Sequence, residues 1–221
     1  MDISLIILNK DRGKFLGKCL RSCLTQSLSK TKYEVIVVDD ASVDESPVVI
    51  SSFGDAIRPI YLKENVGISR ASNIGIEKAL GNLIIRVDAD DYIAKDTLLF
   101  LSEIMHANKD IGFVYTDHFR VDENGKILKR VNLDSLEKIL HHGAGVMFRK
   151  SNLEAIGLYD PNYEHAQDYD LILRYFKNFN GYHLPLPLYR YCRHSGNRTK
   201  RWKTERKLYV SKAKQKNNPN R

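Results

Sequence analysis

The sequence is poor in cysteine, proline and tryptophan and has no long apolar run, and each scarcity removes a class of protein. Three cysteines with no CxxC spacing cannot form a closed disulfide set, so a reducing compartment is expected. The longest apolar stretches, such as Leu5–Leu8 and Leu83–Ile85, fall far short of the roughly 18 to 20 residues that cross a bilayer. With 13 glycines and 6 prolines, the chain is neither collagenous nor low-complexity. The opening Met1-Asp2-Ile3 lacks a basic leader and a small-residue cleavage site, so the apolar run after it is expected to be a first strand rather than a signal peptide. No GxGxxG follows that run, which argues against a dinucleotide-dependent oxidoreductase.

What remains is ordinary globular composition, 43% hydrophobic and 28% charged over 221 residues, enough for one large domain with a substantial core. The net charge of +8 is carried almost entirely by the end of the chain. Residues 198–221 hold ten basic side chains against the single Glu205, a net +9, and the residues before them are near neutral. Such a tail either contacts something anionic, whether lipid head groups, nucleic acid or an acidic partner, or is a solvated and partly frayed terminus. Trp202 among its cations suits a membrane interface or packing onto the body.

Hydrophobic patterning predicts an α/β order. Ile3–Leu8 is a continuous apolar run of strand length, followed by a helical pattern to about Gln26 in which Cys19 and Cys23 face the core. Tyr33–Val38 is a second strand ending in Asp39-Asp40-Ala41-Ser42, after which Asp44 and Pro47 open a short helix. Arg58–Leu62 is a third strand, Val66–Leu80 a helix, and Leu83–Val87 a fourth strand running into Asp88-Ala89-Asp90-Asp91. Strands alternating with helices predict a Rossmann-like, mostly parallel sheet with helices on both faces. In such sheets ligands lie beyond the carboxyl ends of the strands. That rule gathers Asn9, Asp11, Asp39, Asp40, Lys63, Asn65, Asp88, Asp90 and Asp91 at one edge. The second half is less regular: strands at Gly112–Phe119 and Ile127–Val131 flank an Asn124-Gly125 hairpin signal. Helices are expected around Ser135–Leu140, from Ser151 and over Asp168–Phe179, with a strand or extended segment at Pro185–Cys192.

Three carboxylates in four residues at 88–91 repel one another. A divalent ion with oxygen ligands would neutralise them and could also take diphosphate oxygens, or the cluster is a solvated turn capping the next helix. A carboxylate at Asp39 could accept a hydrogen bond from a nucleobase imide N–H, or cap a turn. Gly67 allows close backbone approach, and Arg70 on the first turn could meet phosphate oxygens.

The ordered set Val37-Val38-Asp39-Asp40-Ala41-Ser42, Glu64-Asn65-Val66-Gly67, Asn73-Ile74-Gly75, Asp88-Ala89-Asp90 (DXD), Gly143–Arg149, Gln167-Asp168-Tyr169-Asp170, Tyr189-Arg190 and His194 resembles the family 2 glycosyltransferases of the GT-A fold over about residues 2–197. The resemblance implies a nucleotide-sugar half at about 1–92, an acceptor and catalytic half at about 93–197, and a basic tail at 198–221. It implies metal-dependent, inverting transfer from a nucleotide-diphosphate sugar, a UDP-sugar favoured, to a glycan or lipid-linked saccharide. Asp168 takes the place of the catalytic base. Leu8, Asn9, Asp39, Asn65, Gly67, Arg70, Asp88 and Ala89 take the donor-binding positions, and Asp90, Asp88 and His194 those that hold Mn²⁺ or Mg²⁺.

Two positions depart from the family pattern. Ala71-Ser72-Asn73 stands where Ala-Arg-Asn is common, with Arg70 two residues earlier and so more than half a helical turn away, and Gln167 stands where Glu is common. His141 and His142 are assigned to the acceptor side rather than to metal, and Tyr163 or Tyr169 could stack on a sugar. A cytoplasmic enzyme held at the inner face of the membrane by its tail is expected, with nucleic acid set aside as a partner. The rival readings are a nucleotidyltransferase, which usually has a Gly-rich phosphate loop where this chain has Asn9-Lys10-Asp11-Arg12-Gly13, and a non-catalytic nucleotide-sugar-binding module.

Overall fold

The computed structural model of the chain describes residues 1–140, 143–197 and 203–217. His141, His142, Trp202 and the outer parts of the basic tail lie outside the described residues. Four parallel strands, β1 (Ile3–Asn9), β2 (Tyr33–Asp39), β3 (Arg58–Tyr61) and β4 (Leu83–Asp88), form one side of the sheet, which has nine strands among the described residues, in the order β3-β2-β1-β4. The chain leaves β1 toward β2 and β3, then returns to add β4 on the other side of β1. That reversal opens a crevice at the carboxyl ends of β1 and β4, the usual ligand position in an open α/β sheet.

The strands read as unbroken apolar runs because both faces are covered. Ile3, Leu5 and Ile7 meet α1 (Gly13–Leu24), α2 (Ser46–Ser51) and α4 (Thr97–Ala107), whereas Ile6, Ile36, Val38 and Ile84 meet α3 (Ile68–Lys78) and the helices of the second half. Cys19 and Cys23 are fully buried on α1 beside Leu16 and Leu20, as their spacing predicts.

The second half completes the sheet in the order β4-β8-β6-β9-β5, with β7 paired to β6. It comprises β5 (Tyr92–Ile93), β6 (Ile111–Val121), β7 (Ile127–Val131), α5 (Leu136–Ile139), β8 (Met147–Arg149), α6 (Lys150–Ala155), α7 (Gln167–Asn178) and β9 (Asn180–Cys192). The β6–β7 pair is the antiparallel hairpin that Asn124-Gly125 signals. Two features depart from the sequence expectation. β9 begins at Asn180 rather than Pro185 and lies parallel to β6, its register slipping where Leu184 pairs with Thr116 and Pro187 with Asp117. Pro185 and Pro187 have no N–H for the ladder, so the pattern marks only the later half as strand. The three-residue β8 runs antiparallel between β4 and β6, too short to announce itself in a pattern.

Part of the basic tail is ordered. α8 (Lys203–Asn217) lies on α7, with Tyr209, Val210 and the fully buried Ala213 on the inner face. Its end is held by ions: Lys216 Nζ is 2.8 Å from Asp160 Oδ2 and 3.6 Å from Asp170 Oδ1, and Asn217 Nδ2 donates to Asp170 Oδ1 at 3.2 Å. Asp170 is completely buried and also receives Arg174 Nε and Nη2, each at 2.8 Å. Removing one partner of such a buried pair leaves the other charge uncompensated. Asp170→Ala is therefore expected to lower unfolding free energy by about 3–5 kcal/mol in chemical denaturation and to expose α8 to trypsin before the rest of the chain.

Candidate active site

Carboxylates fasten the loops at the carboxyl edge of the sheet to backbone N–H groups, which charge-assisted hydrogen bonds hold tightly. Asp40 accepts from Val66 N at 2.7 Å and Gly67 N at 3.0 Å, drawing the start of α3 to the end of β2. Asp44 accepts from Gly13 N at 2.8 Å and Ser46 N at 3.0 Å, satisfying free donors at the starts of both α1 and α2. Asn9 Nδ2 donates to Asp39 Oδ1 at 2.7 Å and to Ser42 Oγ at 3.0 Å.

The acidic loop after β4 divides its labour. Asp91 is buried, accepting from Tyr189 Oη at 2.7 Å and Cys192 N at 2.8 Å, so it clasps the loop to β9. Burial, with Asp90 and Asp88 adjacent, pushes its carboxyl well above the usual carboxylate range. Asp90 Oδ2 lies 2.9 Å from His194 Nε2 and 3.4 Å from Arg12 Nε. Gly196 N donates to His194 Nδ1 at 3.2 Å, which leaves the hydrogen of a neutral imidazole on Nε2, facing Asp90. The ring packs on Phe15, centroids 4.5 Å apart.

Asp88 meets a residue that the sequence reading missed. Arg86 lies two positions earlier on β4 and so on the same face. It is 5% exposed, with Nε 3.2 Å from Asp88 Oδ1. Its two terminal nitrogens donate to Asp168, Nη1 to Oδ1 at 2.7 Å and Nη2 to Oδ2 at 3.0 Å, and Nη1 also reaches Tyr159 Oη at 3.1 Å. Burial works to lower the guanidinium pKa, but Asp168, Tyr159 and Asp88 outweigh it and hold the value above that of an ordinary arginine. A signal was present: Arg86 is the one charge inside the apolar run 83–87, and a charge on a buried strand requires a partner.

Asp168 sits in the first turn of α7, whose N-cap is Ala166 in the left-handed region at φ 57°; it is not itself the cap. Its carboxylate lies against the backbone at Gly143, where a Cβ would come within 2.3 Å of Asp168 Cγ. Gly145, at φ 74°, turns the chain into β8, and its amide donates to Arg86 O at 2.8 Å.

These groups surround a cavity of about 460 Å³ at the reversal of strand order. Leu8, Asn9, Asn65, Gly67, Asp88, Ala89, Asp90 and Asp168 line it, together with Arg12, Asp40 and Arg206 of α8. Asp39 is buried beneath, tied to Asn9 and Ser42, while its neighbour Asp40 forms the wall. Arg70 is exposed on α3 and does not line the cavity. His194 stands behind Asp90, and Tyr163 and Tyr169 are buried away from the lining.

Among the described residues, no group of three or more His, Cys, Asp or Glu side chains is arranged to hold a metal by itself. Asp88 and Asp90 nevertheless offer two hard oxygen donors into one cavity, the set that suits a divalent ion completing its coordination with water and substrate phosphate. The residues fit such an ion.

Comparison with known proteins gives the same fold. The chain is 29% identical over 190 residues to the uncharacterized glycosyltransferase RP339 of Rickettsia prowazekii, covering 79% of this chain and 58% of that protein. The crystal structure of residues 1–349 of Staphylococcus aureus TarS in complex with UDP-GlcNAc superimposes with a TM-score of 0.78 at 22% identity, over 90% of this chain and 61% of that one. A mannosyltransferase from Pyrobaculum calidifontis, in complex with GDP-Man and Mn²⁺, superimposes with a TM-score of 0.70 at 17% identity, over 88% and 58% of the two chains. The chain thus spans about three-fifths of the length of these relatives. The sequence profile described as glycosyl transferase family 2 matches residues 4–157, and with the GT-A arrangement of strands, cavity and carboxylates around it, the chain belongs to that family.

Proposed function

We propose that the chain is an inverting glycosyltransferase that moves a sugar from a nucleotide-diphosphate donor to a hydroxyl of a glycan or lipid-linked saccharide. The observation that carries this reading is that one cavity is lined by the strand-end carboxylates Asp88 and Asp90 and also by Asp168. The nucleotide lies at the ends of β1 and β2, against Leu8, Asn9 and the Asp39–Asp40 pair, with the loop at Asn65 and Gly67 closing over it. The half at about 1–92 binds the donor and the half at about 93–197 meets the acceptor. A UDP-sugar is the donor we favour, supported by the fold shared with the UDP-GlcNAc-bound protein.

Asp168 accepts the proton of the acceptor hydroxyl as that oxygen attacks the anomeric carbon. The bond from that carbon to the diphosphate oxygen breaks on the opposite face, and the nucleoside diphosphate departs. Mn²⁺ or Mg²⁺ held by Asp88 and Asp90 would neutralise the charge that develops on the diphosphate. We assign His194 to orient Asp90, and Arg12, which lines the cavity where Arg70 does not, to the phosphate side. A nucleotidyltransferase or a binding module without catalysis is less favoured, because neither needs a carboxylate at Asp168.

No helix among the described residues is long and apolar enough to cross a membrane. The exposed lysines of α8, among them Lys207 and Lys214, support peripheral attachment at an anionic, cytoplasmic membrane face.

Three outcomes are expected. In a thermal-shift panel of UDP, GDP, dTDP and CDP with and without Mn²⁺, one nucleotide stabilises the wild type only with metal, by about 2.7 kcal/mol at 100 times its dissociation constant, and Asp90→Ala loses the response. No response to any nucleotide would sink the donor assignment. Gly143→Ala displaces Asp168 and lowers kcat about 100-fold while nucleotide affinity is kept, measured by steady-state kinetics beside titration calorimetry. In flotation assays, vesicles containing anionic lipid retain the wild type and release a variant carrying Lys207→Glu, Lys212→Glu and Lys214→Glu at exposed positions of α8; equal retention of both would refute membrane attachment through the tail.

A further inference from the structure

We propose that Arg86 is a positioning residue of the transfer reaction, holding the base Asp168 at a set distance from the donor-side carboxylate Asp88; the proposal rests on the transferase reading above. The two terminal nitrogens of one planar guanidinium are hydrogen-bonded, and its Nε stands within ion-pair range of a second carboxylate without a hydrogen bond. Nη1 and Nη2 form a fork on the two oxygens of Asp168 at 2.7 and 3.0 Å, and Nε lies 3.2 Å from Asp88 Oδ1. The ring of Tyr159 lies 5.5 Å from the guanidinium carbon, and its hydroxyl accepts from Nη1. With the side chain 5% exposed, the plane has little room to turn.

This arrangement answers a geometric need of the reaction. In an in-line displacement the base and the leaving diphosphate stand on opposite sides of the anomeric carbon, so their separation has to match the substrate. Here that span crosses the rigid width of one guanidinium, from the base to the carboxylate at the diphosphate end. Oδ2 of Asp168 also accepts from Gln167 Nε2 at 3.4 Å, so the lone pair for the acceptor proton is the second one on Oδ1. A guanidinium is never deprotonated in proteins, so Arg86 does not compete for that proton. Lysine cannot reproduce the arrangement, because an ammonium is a point charge without a fork. The rival explanation is that the Asp88–Arg86–Asp168 group only stabilises the fold.

Steady-state kinetics, nucleotide titration and thermal melts of Arg86→Lys, Arg86→Ala and Asp168→Asn, with and without added guanidinium ion, separate the two explanations. Arg86→Lys is expected to fold, to bind nucleotide with an affinity within about threefold of wild type, and to lose about 100-fold in kcat with donor KM unchanged, the loss that follows from a misplacement of about 1 Å. Arg86→Ala is expected to recover part of its kcat when guanidinium is added at millimolar levels that leave the wild type unaffected. The proposal is overturned if Arg86→Lys keeps kcat within about twofold of wild type. It is equally overturned if the Arg86 variants lose nucleotide affinity and melting temperature together, with no recovery by guanidinium. Asp168→Asn distinguishes this failure from failure of the underlying reading: a fully active Asp168→Asn removes the base assignment and the proposal together, whereas an inactive one beside a fully active Arg86→Lys removes the proposal alone.

Discussion

A buried guanidinium between two carboxylates joins the two halves of this chain. Arg86 comes from the central parallel strand β4, and Asp168 from the helix that follows a long excursion through β5 to β8. A buried ion pair is weak support for stability, since desolvation offsets most of the Coulomb attraction. It is strong support for geometry, because neither charge can move alone without being left unpaired. Surrounding features accommodate that demand. Gly143 has no side chain to displace Asp168, Gly145 turns the chain so that its amide meets Arg86 O, and Tyr159 covers the guanidinium.

The same economy runs through the other carboxylates of the strand-end edge. Short aspartate side chains reach backbone N–H groups that the ends of parallel strands and the starts of helices leave without partners. Asp40, Asp44 and Asp91 each accept two hydrogen bonds: Asp40 from the consecutive amides of Val66 and Gly67, Asp44 from Gly13 N and Ser46 N on two helices, and Asp91 from Tyr189 Oη and Cys192 N on β9. Of the carboxylates that line the cavity, Asp88, Asp90 and Asp168 meet side chains rather than backbone: Arg86 lies against Asp88 and Asp168, His194 and Arg12 against Asp90, and Gln167 Nε2 donates to Asp168 at 3.4 Å. A run of like charges at 88–91 thereby resolves into one structural clasp and two cavity groups. Asp91 is tolerated within it because burial and its acidic neighbours raise its pKa, which reduces the repulsion.

The basic tail illustrates how charge count and charge placement differ. Ten cations in 198–221 suggest an electrostatic surface, and exposed lysines on α8 are consistent with one. Yet Lys216 is spent on Asp160 and Asp170, and Arg206 faces the cavity. The inner face of α8, with Tyr209, Val210 and Ala213, packs against the core. One segment thus supplies both a face packed on the core and a wall of the cavity.

The α/β order, the parallel first half, the crevice at its strand ends and the carboxylates gathered there were legible in the sequence, because buried parallel strands need unbroken apolar runs and the chain must turn polar where they end. The hairpin at Asn124-Gly125 and the core-facing Cys19 and Cys23 followed from equally local rules. Tertiary structure alone decided which carboxylates face the cavity. Asp39 and Asp40 are neighbours in the chain, but alternation along β2 and the pull of Val66 N and Gly67 N put Asp40 on the wall and Asp39 beneath it. Arg70 matched a helix position by type, yet the rotation of α3 leaves it exposed, while Arg12 reaches the cavity from the loop after β1. The antiparallel β8, the early start of β9, the docking of α8 and the Arg86–Asp168 pair all depend on contacts between residues far apart in sequence. Local pattern records what each segment needs to bury; which distant partner buries it is settled only when the whole sheet closes.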